Sequence, residues 1–217
     1  QTPKPPFPYK SEEVIYKSPD QSLQFGGTIT IPQGRGPFPA VILITGSGQQ
    51  DRDETILYHK PFAVIADALT KDGFIVLRVD DRGIGNSTGN FFNSTTADFV
   101  KDVNISVDYL RSRPEVNDDK IGLLGHSEGG LIAPMVASQR KDIDFIVLLA
   151  APGVTTLDLM TEQNAAILEA SGINPTVAEK YKILYRDVVN TILNSQDQSI
   201  AKQQVIGQIN NWIAKND

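Results

Sequence analysis

Four short apolar runs decide what this chain can fold into: Ala40-Val41-Ile42-Leu43-Ile44, Phe74–Val79, Ile121-Gly122-Leu123-Leu124 and Phe145-Ile146-Val147-Leu148-Leu149. Each is too short for a helix and shows none of the polar alternation of a half-exposed strand. Such runs read as strands covered on both faces. Between them lie stripes of helical period. Phe62, Ile65, Ala66 and Leu69 mark a helix over Pro61–Lys71, stopped at Gly73. Phe99, Val103, Val107 and Leu110 mark a second, ending before Pro114. Leu131–Ser138 continues as a third, in which Pro134 is expected to introduce a kink. Buried strands alternating with amphipathic helices build an α/β fold: a mostly parallel, doubly covered sheet with right-handed crossovers. The four runs are predicted to be adjacent parallel strands. Ahead of them, Glu13–Lys17 and Leu23–Ile31 alternate polar with apolar or β-branched residues and predict a half-exposed antiparallel hairpin.

The chain has 217 residues, enough to bury a sizeable core in one domain. After Pro152-Gly153 the pattern turns wholly helical. Val177, Tyr181, Leu184, Val188 and Ile192 form one stripe, and Ile206, Ile209, Trp212 and Ile213 another. Two readings of these helices stand: a cap or lid inserted after the sheet, or peripheral helices covering it. The expected organisation is an extended tail over residues 1–11, an α/β core over 12–153 and a helical cap segment over 154–217. The net charge of −6 argues against nucleic acid as a partner. No apolar stretch approaches the ~20 residues of a membrane span. With no cysteine there is no disulfide framework, thiol nucleophile or thiolate metal site. The Pro-rich start at Gln1 reads as a mature N-terminus left by a signal peptidase, with export to the periplasm, or as a cut boundary in a cytoplasmic protein. Three Asn-x-Ser/Thr sequons, at Asn86, Asn93 and Asn104, carry little weight.

The chemistry centres on Ser127, in Gly125-His126-Ser127-Glu128-Gly129-Gly130, directly after the third apolar run. A serine at the apex of so sharp a strand-to-helix turn is strained, and its neighbours two before and two after must be small. The turn lifts the hydroxyl clear of the sheet and points a helix N-terminus at the place where negative charge develops. The bland alternative is a Gly-rich turn whose serine only caps the helix. After the first run comes Thr45-Gly46-Ser47-Gly48-Gln49-Gln50, whose glycines let the backbone approach a ligand. It is no P-loop, since no Gly-Lys-Ser/Thr follows. Asp51-Arg52-Asp53-Glu54 lacks calcium-loop spacing, and its arginine predicts local ion pairing rather than a metal site. Gly83–Gly89 is not a dinucleotide fingerprint and reads as a tight strand-to-helix loop beneath the site.

Three motifs in this order, Gly46-Ser47-Gly48, Asp81-Arg82-Gly83-x-Gly85-x-Ser87 and Gly125-His126-Ser127-Glu128-Gly129-Gly130, resemble serine hydrolases of the α/β-hydrolase fold. The flavour is that of bacterial esterases grouped with acylaminoacyl-peptidase and dipeptidyl-peptidase-like hydrolases, and the likeness covers Glu12 to Gly153. The resemblance implies Ser127 as nucleophile and an oxyanion hole from the backbone N–H of Glu128 and of Ser47, with Gly48 the neighbour that competes with Ser47. It implies no cofactor and no metal, and a small-molecule ester or acyl substrate. It also implies an acid and a histidine after the serine, which this sequence departs from. The two histidines are His59 and His126. His126 adjoins Ser127, so its ring is expected to project away and pack as a supporting residue; His59 lies at the start of the helix after the oxyanion loop. The expectation is an N-terminal part of a longer hydrolase, lacking its last strands, silent on its own and prone to self-association through an open sheet edge. Three functions stay open: an esterase working through an acyl-serine, an aminopeptidase-like or thioester-cleaving enzyme with the same turn, and a non-catalytic binding fragment.

Overall fold

The computed structural model describes residues 2–216. The chain divides into two compact units, Gln1–Ala151 and Pro152–Asp217.

The first unit is a six-stranded sheet with helices on it. Its strands are β1 (Lys10–Lys17), β2 (Gln24–Ile31), β3 (Phe38–Ile44), β4 (Ile75–Val79), β5 (Val116–His126) and β6 (Phe145–Leu149), in the spatial order β1-β2-β4-β3-β5-β6. The four apolar runs are adjacent and parallel: β4 and β5 flank β3, and β6 follows β5, with Gly122 opposite Phe145 and His126 opposite Leu149. β1 and β2 pair antiparallel, and β2 runs antiparallel to β4. The hairpin departs from its expected half-exposure. β1 alternates, but β2 is buried along almost its whole length, because it is enclosed between β1 and β4. The tail also ends earlier than expected. Lys10 and Ser11 already pair with Ile31 and Thr30, and Tyr9 is buried with its hydroxyl donating to Asp67 Oδ1 at 2.9 Å.

Helices α1 (Pro61–Lys71), α2 (Thr96–Arg111) and α3 (Gly129–Gln139) are the three expected from periodicity. Pro61 opens α1, where a missing N–H costs nothing. Thr95 and Asp98 form a capping box on α2. Pro134 lies inside α3. Each sheet face carries its own core. One gathers Ile29, Ile42, Ile75, Leu77, Val107, Leu110, Ile121 and Leu123 with α2 and α3; the other gathers Val41, Leu43, Val76 and Leu124 against Phe62 and Ala66 of α1. Burying a side chain such as Phe62 contributes about 2–3 kcal/mol. β6 departs from the reading of a doubly covered strand: Ile146, Val147 and Leu148 remain 39–45% exposed, since β6 is an outer strand with β5 as its one partner.

The second unit consists of α4 (Thr156–Ala170), α5 (Pro175–Asn194) and α6 (Gln198–Asn216), packed in sequence. Thr155 and Asn174 cap α4 and α5 through side-chain oxygens. Lys182 on α5 bridges to Glu162 on α4 at 2.7 Å. Its fully buried residues are small, Thr161, Ala165, Ala178 and Ala201, so the two apolar stripes lie half-buried to exposed.

Candidate active site

β5 ends at His126 and α3 begins at Gly129, leaving Ser127 and Glu128 as the whole turn. Ser127 takes φ of +50°, a left-handed conformation that costs a non-glycine residue of order 1–3 kcal/mol and persists only where the surroundings enforce it. The enforcement is visible. Ser127 N–H donates to Leu149 O at 2.9 Å, and Gly130 N–H donates to Ser127 O at 2.9 Å. A Cβ on Gly125 would stand 2.0 Å from Gly129 O, and one on Gly129 would stand 2.3 Å from Ile44 O. The turn is therefore wound too tightly for side chains at either flanking position, as the spacing predicts.

The loop after β3 is laid against this turn. A Cβ on Gly46 would meet Ser127 Cβ at 3.2 Å, which puts the Gly46-Ser47 backbone beside the serine side chain. Among the described residues, the N–H groups of Ser47 and Glu128 donate to no protein acceptor, whereas Gly46 N–H donates to Glu54 Oε1 at 2.7 Å. The Glu128 side chain is turned aside and accepts from Thr96 Oγ1 at 2.7 Å.

The segment after β4 holds that loop in place. Asp81 accepts from Thr45 Oγ1 at 2.9 Å and from Gln50 N–H at 2.8 Å, and Arg82 O accepts from Gln49 Nε2 at 2.8 Å. Arg82 in turn grips Asp102 of α2 through two bonds of 2.6 and 2.7 Å. Gly83–Gly89 is the tight connection expected, pinned to β2 by Thr88 Oγ1 on Gln24 N–H and Ser87 Oγ on Gly26 N–H. Burial, with the negative charges of Glu128 and Asp80 adding to it, pushes the Asp81 carboxyl up to about 6. Asp81 and Glu128 border a cavity of about 60 Å³ whose walls include Ile44, Phe99 and Ile132 as well as Asp80, Arg82 and Asp102.

The Asp51–Glu54 stretch corrects the expectation of local pairing. Arg52 binds Asp80 bidentately, at 3.0 and 2.6 Å, and also reaches Glu13; Asp53 pairs with Arg78 and with Lys60. Most of these partners are remote in sequence, so the ion pairs fasten the loop to β1 and β4. Among the described residues no group of His, Asp and Glu is arranged to hold a metal ion.

Neither histidine hydrogen-bonds to Ser127 among the described residues. His126 Nδ1 lies 2.8 Å from Glu54 Oε1, and its side chain stays 41% exposed rather than packed. His59 is exposed, in a turn whose backbone closes onto Ile56. Glu54 is the residue that sequence reasoning missed. It is 8% exposed with φ of +52°, and its histidine partner lies 72 residues further on, so no local pattern marks it.

Comparison with known proteins agrees with this architecture. Residues 58–205 match the family described as serine aminopeptidase, S33. Esterase EstD of Thermotoga maritima is 36% identical over 158 residues, covering 73% of this chain and 37% of EstD. Human acyl-coenzyme A thioesterase 1 is 27% identical over 183 residues, covering 83% of this chain and 39% of the thioesterase. The chain thus spans under two fifths of the length of these relatives. Among solved structures, the α/β hydrolase GrgF of Penicillium sp. sh18 superimposes with a TM-score of 0.59 at 23% identity, over 75% of this chain and 53% of that one. An esterase of Pyrococcus furiosus gives a TM-score of 0.56 at 25% identity, over 70% and 55%. A mostly parallel sheet, a tight serine turn after β5 and a family match over most of the chain lead to one conclusion: this chain belongs to the serine aminopeptidase S33 family of α/β-hydrolase-fold hydrolases.

Proposed function

We propose that the protein is a serine hydrolase that cleaves small carboxylic esters through an acyl-serine intermediate, with Ser127 as nucleophile and the N–H groups of Glu128 and Ser47 as the oxyanion hole. The observation that carries this reading is the Ser127 apex: φ of +50°, set between β5 and α3, with two unclaimed N–H donors next to it. Ser127 Oγ attacks the ester carbonyl carbon, and its proton passes to a general base. The carbonyl oxygen becomes an oxyanion and takes hydrogen bonds from the two N–H groups, which are fixed before the charge appears. The tetrahedral adduct collapses, the alcohol leaves with a proton, and water then hydrolyses the acyl-serine. Neither histidine bonds to Ser127 among the described residues, and on this reading the 217 residues alone turn over little or nothing. A thioester is the second reading, favoured by the acyl-coenzyme A thioesterases among the relatives.

The test is a substrate panel of p-nitrophenyl esters, acyl thioesters and aminoacyl anilides on the whole protein. Ester hydrolysis is expected to lead, and Ser127→Ala to lower it by on the order of 10³-fold or more. Fluorophosphonate labelling is expected at Ser127. Labelling that survives in the alanine variant refutes the assignment.

A further inference from the structure

We propose that Glu54 is a positioning residue of this site, and that it selects which backbone N–H faces the oxyanion. The inference rests on the reading of Ser127 as nucleophile. One oxygen, Glu54 Oε1, serves two elements at once: it accepts Gly46 N–H at 2.7 Å and lies 2.8 Å from His126 Nδ1. Oε1 already accepts from Gly46, and in the tautomer that fits this geometry His126 donates to it through Nδ1. Gly46 and His126 flank Ser127 from the two loops that build the site, and the position a Gly46 Cβ would take is within 3.2 Å of Glu54 Oε1, His126 Nδ1 and Ser127 Cβ together. Glu54 therefore stitches the loop after β3 to the turn after β5 at the nucleophile itself.

Two consequences follow. Gly46 N–H is withdrawn from the site, so the next N–H along, that of Ser47, becomes the second oxyanion donor. The Nδ1 of His126 is also committed to Glu54 rather than to Ser127. The carboxylate is delivered by a backbone built for it. Glu54 is buried and held at φ of +52°, with its own N–H on Asp51 O at 2.9 Å. The three residues before it are each anchored: Asp51 accepts the N–H groups of Asp53 and Thr55, Arg52 binds Asp80, and Asp53 binds Arg78 and Lys60. A left-handed non-glycine residue this firmly over-determined is a mark of functional constraint.

The variants Glu54→Gln and Glu54→Met separate the acceptor from the bulk. The amide oxygen of Gln can accept both bonds; Met fills similar space and accepts neither. Two readouts are taken on the 217-residue chain. The first is ¹⁵N NMR of the His126 ring and the Gly46 amide. The second is the affinity for benzeneboronic acid, whose boron takes an electron pair from Ser127 Oγ as the hydroxyl proton passes to buffer base, and whose own oxygen then occupies the oxyanion position. In Glu54→Met the His126 Nδ1–H signal is expected to be lost, the Gly46 amide to shift, and the boronate Kd to rise at least tenfold. In Glu54→Gln both signals are expected to persist, with Kd within about threefold of wild type. A merely structural role would not be rescued by Gln with thermal midpoints of the two variants alike. Ser127→Ala checks the underlying reading separately. If it binds boronate as wild type does, the nucleophile assignment falls; in that case, or if wild type binds none, the two NMR signals alone decide Glu54. Signals and affinity unmoved in Glu54→Met overturn the proposal.

Discussion

The same substitution, glycine to alanine, is expected to have opposite effects at two positions, and the structure fixes both signs. At Gly129, the first residue of α3, an added Cβ would stand 2.3 Å from Ile44 O and 2.7 Å from Thr45 O. Both obstacles are backbone at the end of the central strand, so no side chain can swing away. Relief requires α3 and β3 to separate by about 1 Å, a shift of the kind that costs 1–3 kcal/mol or more in a packed interior. At Gly207, within α6, an added Cβ meets nothing within 4 Å. There the helix propensity gain acts alone, worth about 1 kcal/mol in favour of alanine. Urea unfolding reads both. Trp212 lies in α6 and is the single tryptophan, so its fluorescence follows the second unit, while far-UV circular dichroism follows the sheet unit as well. Gly129→Ala is expected to lower the stability of the sheet unit by at least 2 kcal/mol, and Gly207→Ala to raise that of the helical unit by about 0.5–1 kcal/mol. A Gly129→Ala variant within 0.5 kcal/mol of wild type would refute the claim that strand and serine turn are in backbone contact.

Three further outcomes are expected. Asp81, held near 6 in the folded chain, keeps its proton after the unfolded chain has released it, so native binding exceeds unfolded binding between about pH 4 and 6. Stability from this group therefore falls as pH rises through that window, by on the order of 2–3 kcal/mol; urea midpoints of wild type and Asp81→Asn should converge towards pH 4 and separate by pH 7, and parallel profiles would contradict it. Asp80→Ala leaves the half-buried Arg52 guanidinium without its bidentate partner, with Glu13 still beside it, and is expected to cost about 1–3 kcal/mol, read by thermal unfolding; a loss under about 0.5 kcal/mol would show that Glu13 and water replace the pair. The 217-residue chain alone is expected to hydrolyse p-nitrophenyl acetate at no more than a small residual rate, and turnover comparable to an active esterase would show that one of its own histidines is the base.

Where the sequence was legible, a period or a fixed short spacing carried the information. Continuous apolar runs marked β3 to β6, and for β3, β4 and β5 the reason is that parallel strands covered on both faces have no polar face to reveal. Glycines two before and two after Ser127 marked the turn, because the close approach they permit is local in the chain. What escaped was set by long-range partners. β2 alternates in sequence like a half-exposed strand, yet its neighbours β1 and β4 and the layers above and below enclose it. Arg52 looks like a member of a local charge cluster, yet its ligand Asp80 lies at the end of another strand. Glu54 has no signature at all, because its meaning comes from His126 across the site. Strand β6 erred the other way: an apolar composition implies a covering that its outer position does not provide.

That exposed strand supports one more prediction. Sheet edges that stay unpaired in soluble proteins are usually blunted by charge, proline or a bulge. β6 has none of these. It reads Phe-Ile-Val-Leu-Leu, pairs in even register with β5, and presents Ile146, Val147 and Leu148 partly to solvent. Its free N–H and C=O groups form a template on which a second copy of the strand completes a ladder, and the exposed apolar side chains add hydrophobic contact to those bonds. The purified chain is therefore expected to associate as its concentration rises, by light scattering coupled to size exclusion. Val147→Lys places a charge on that edge, and Ile15→Lys, on the outer strand β1 that already carries Lys10, Glu12, Glu13 and Lys17, serves as the control. Association abolished by the first and kept by the second locates the contact at β6. A monomer throughout the micromolar to millimolar range, or equal effects of the two lysines, would show that β6 is not the surface on which copies of this chain meet.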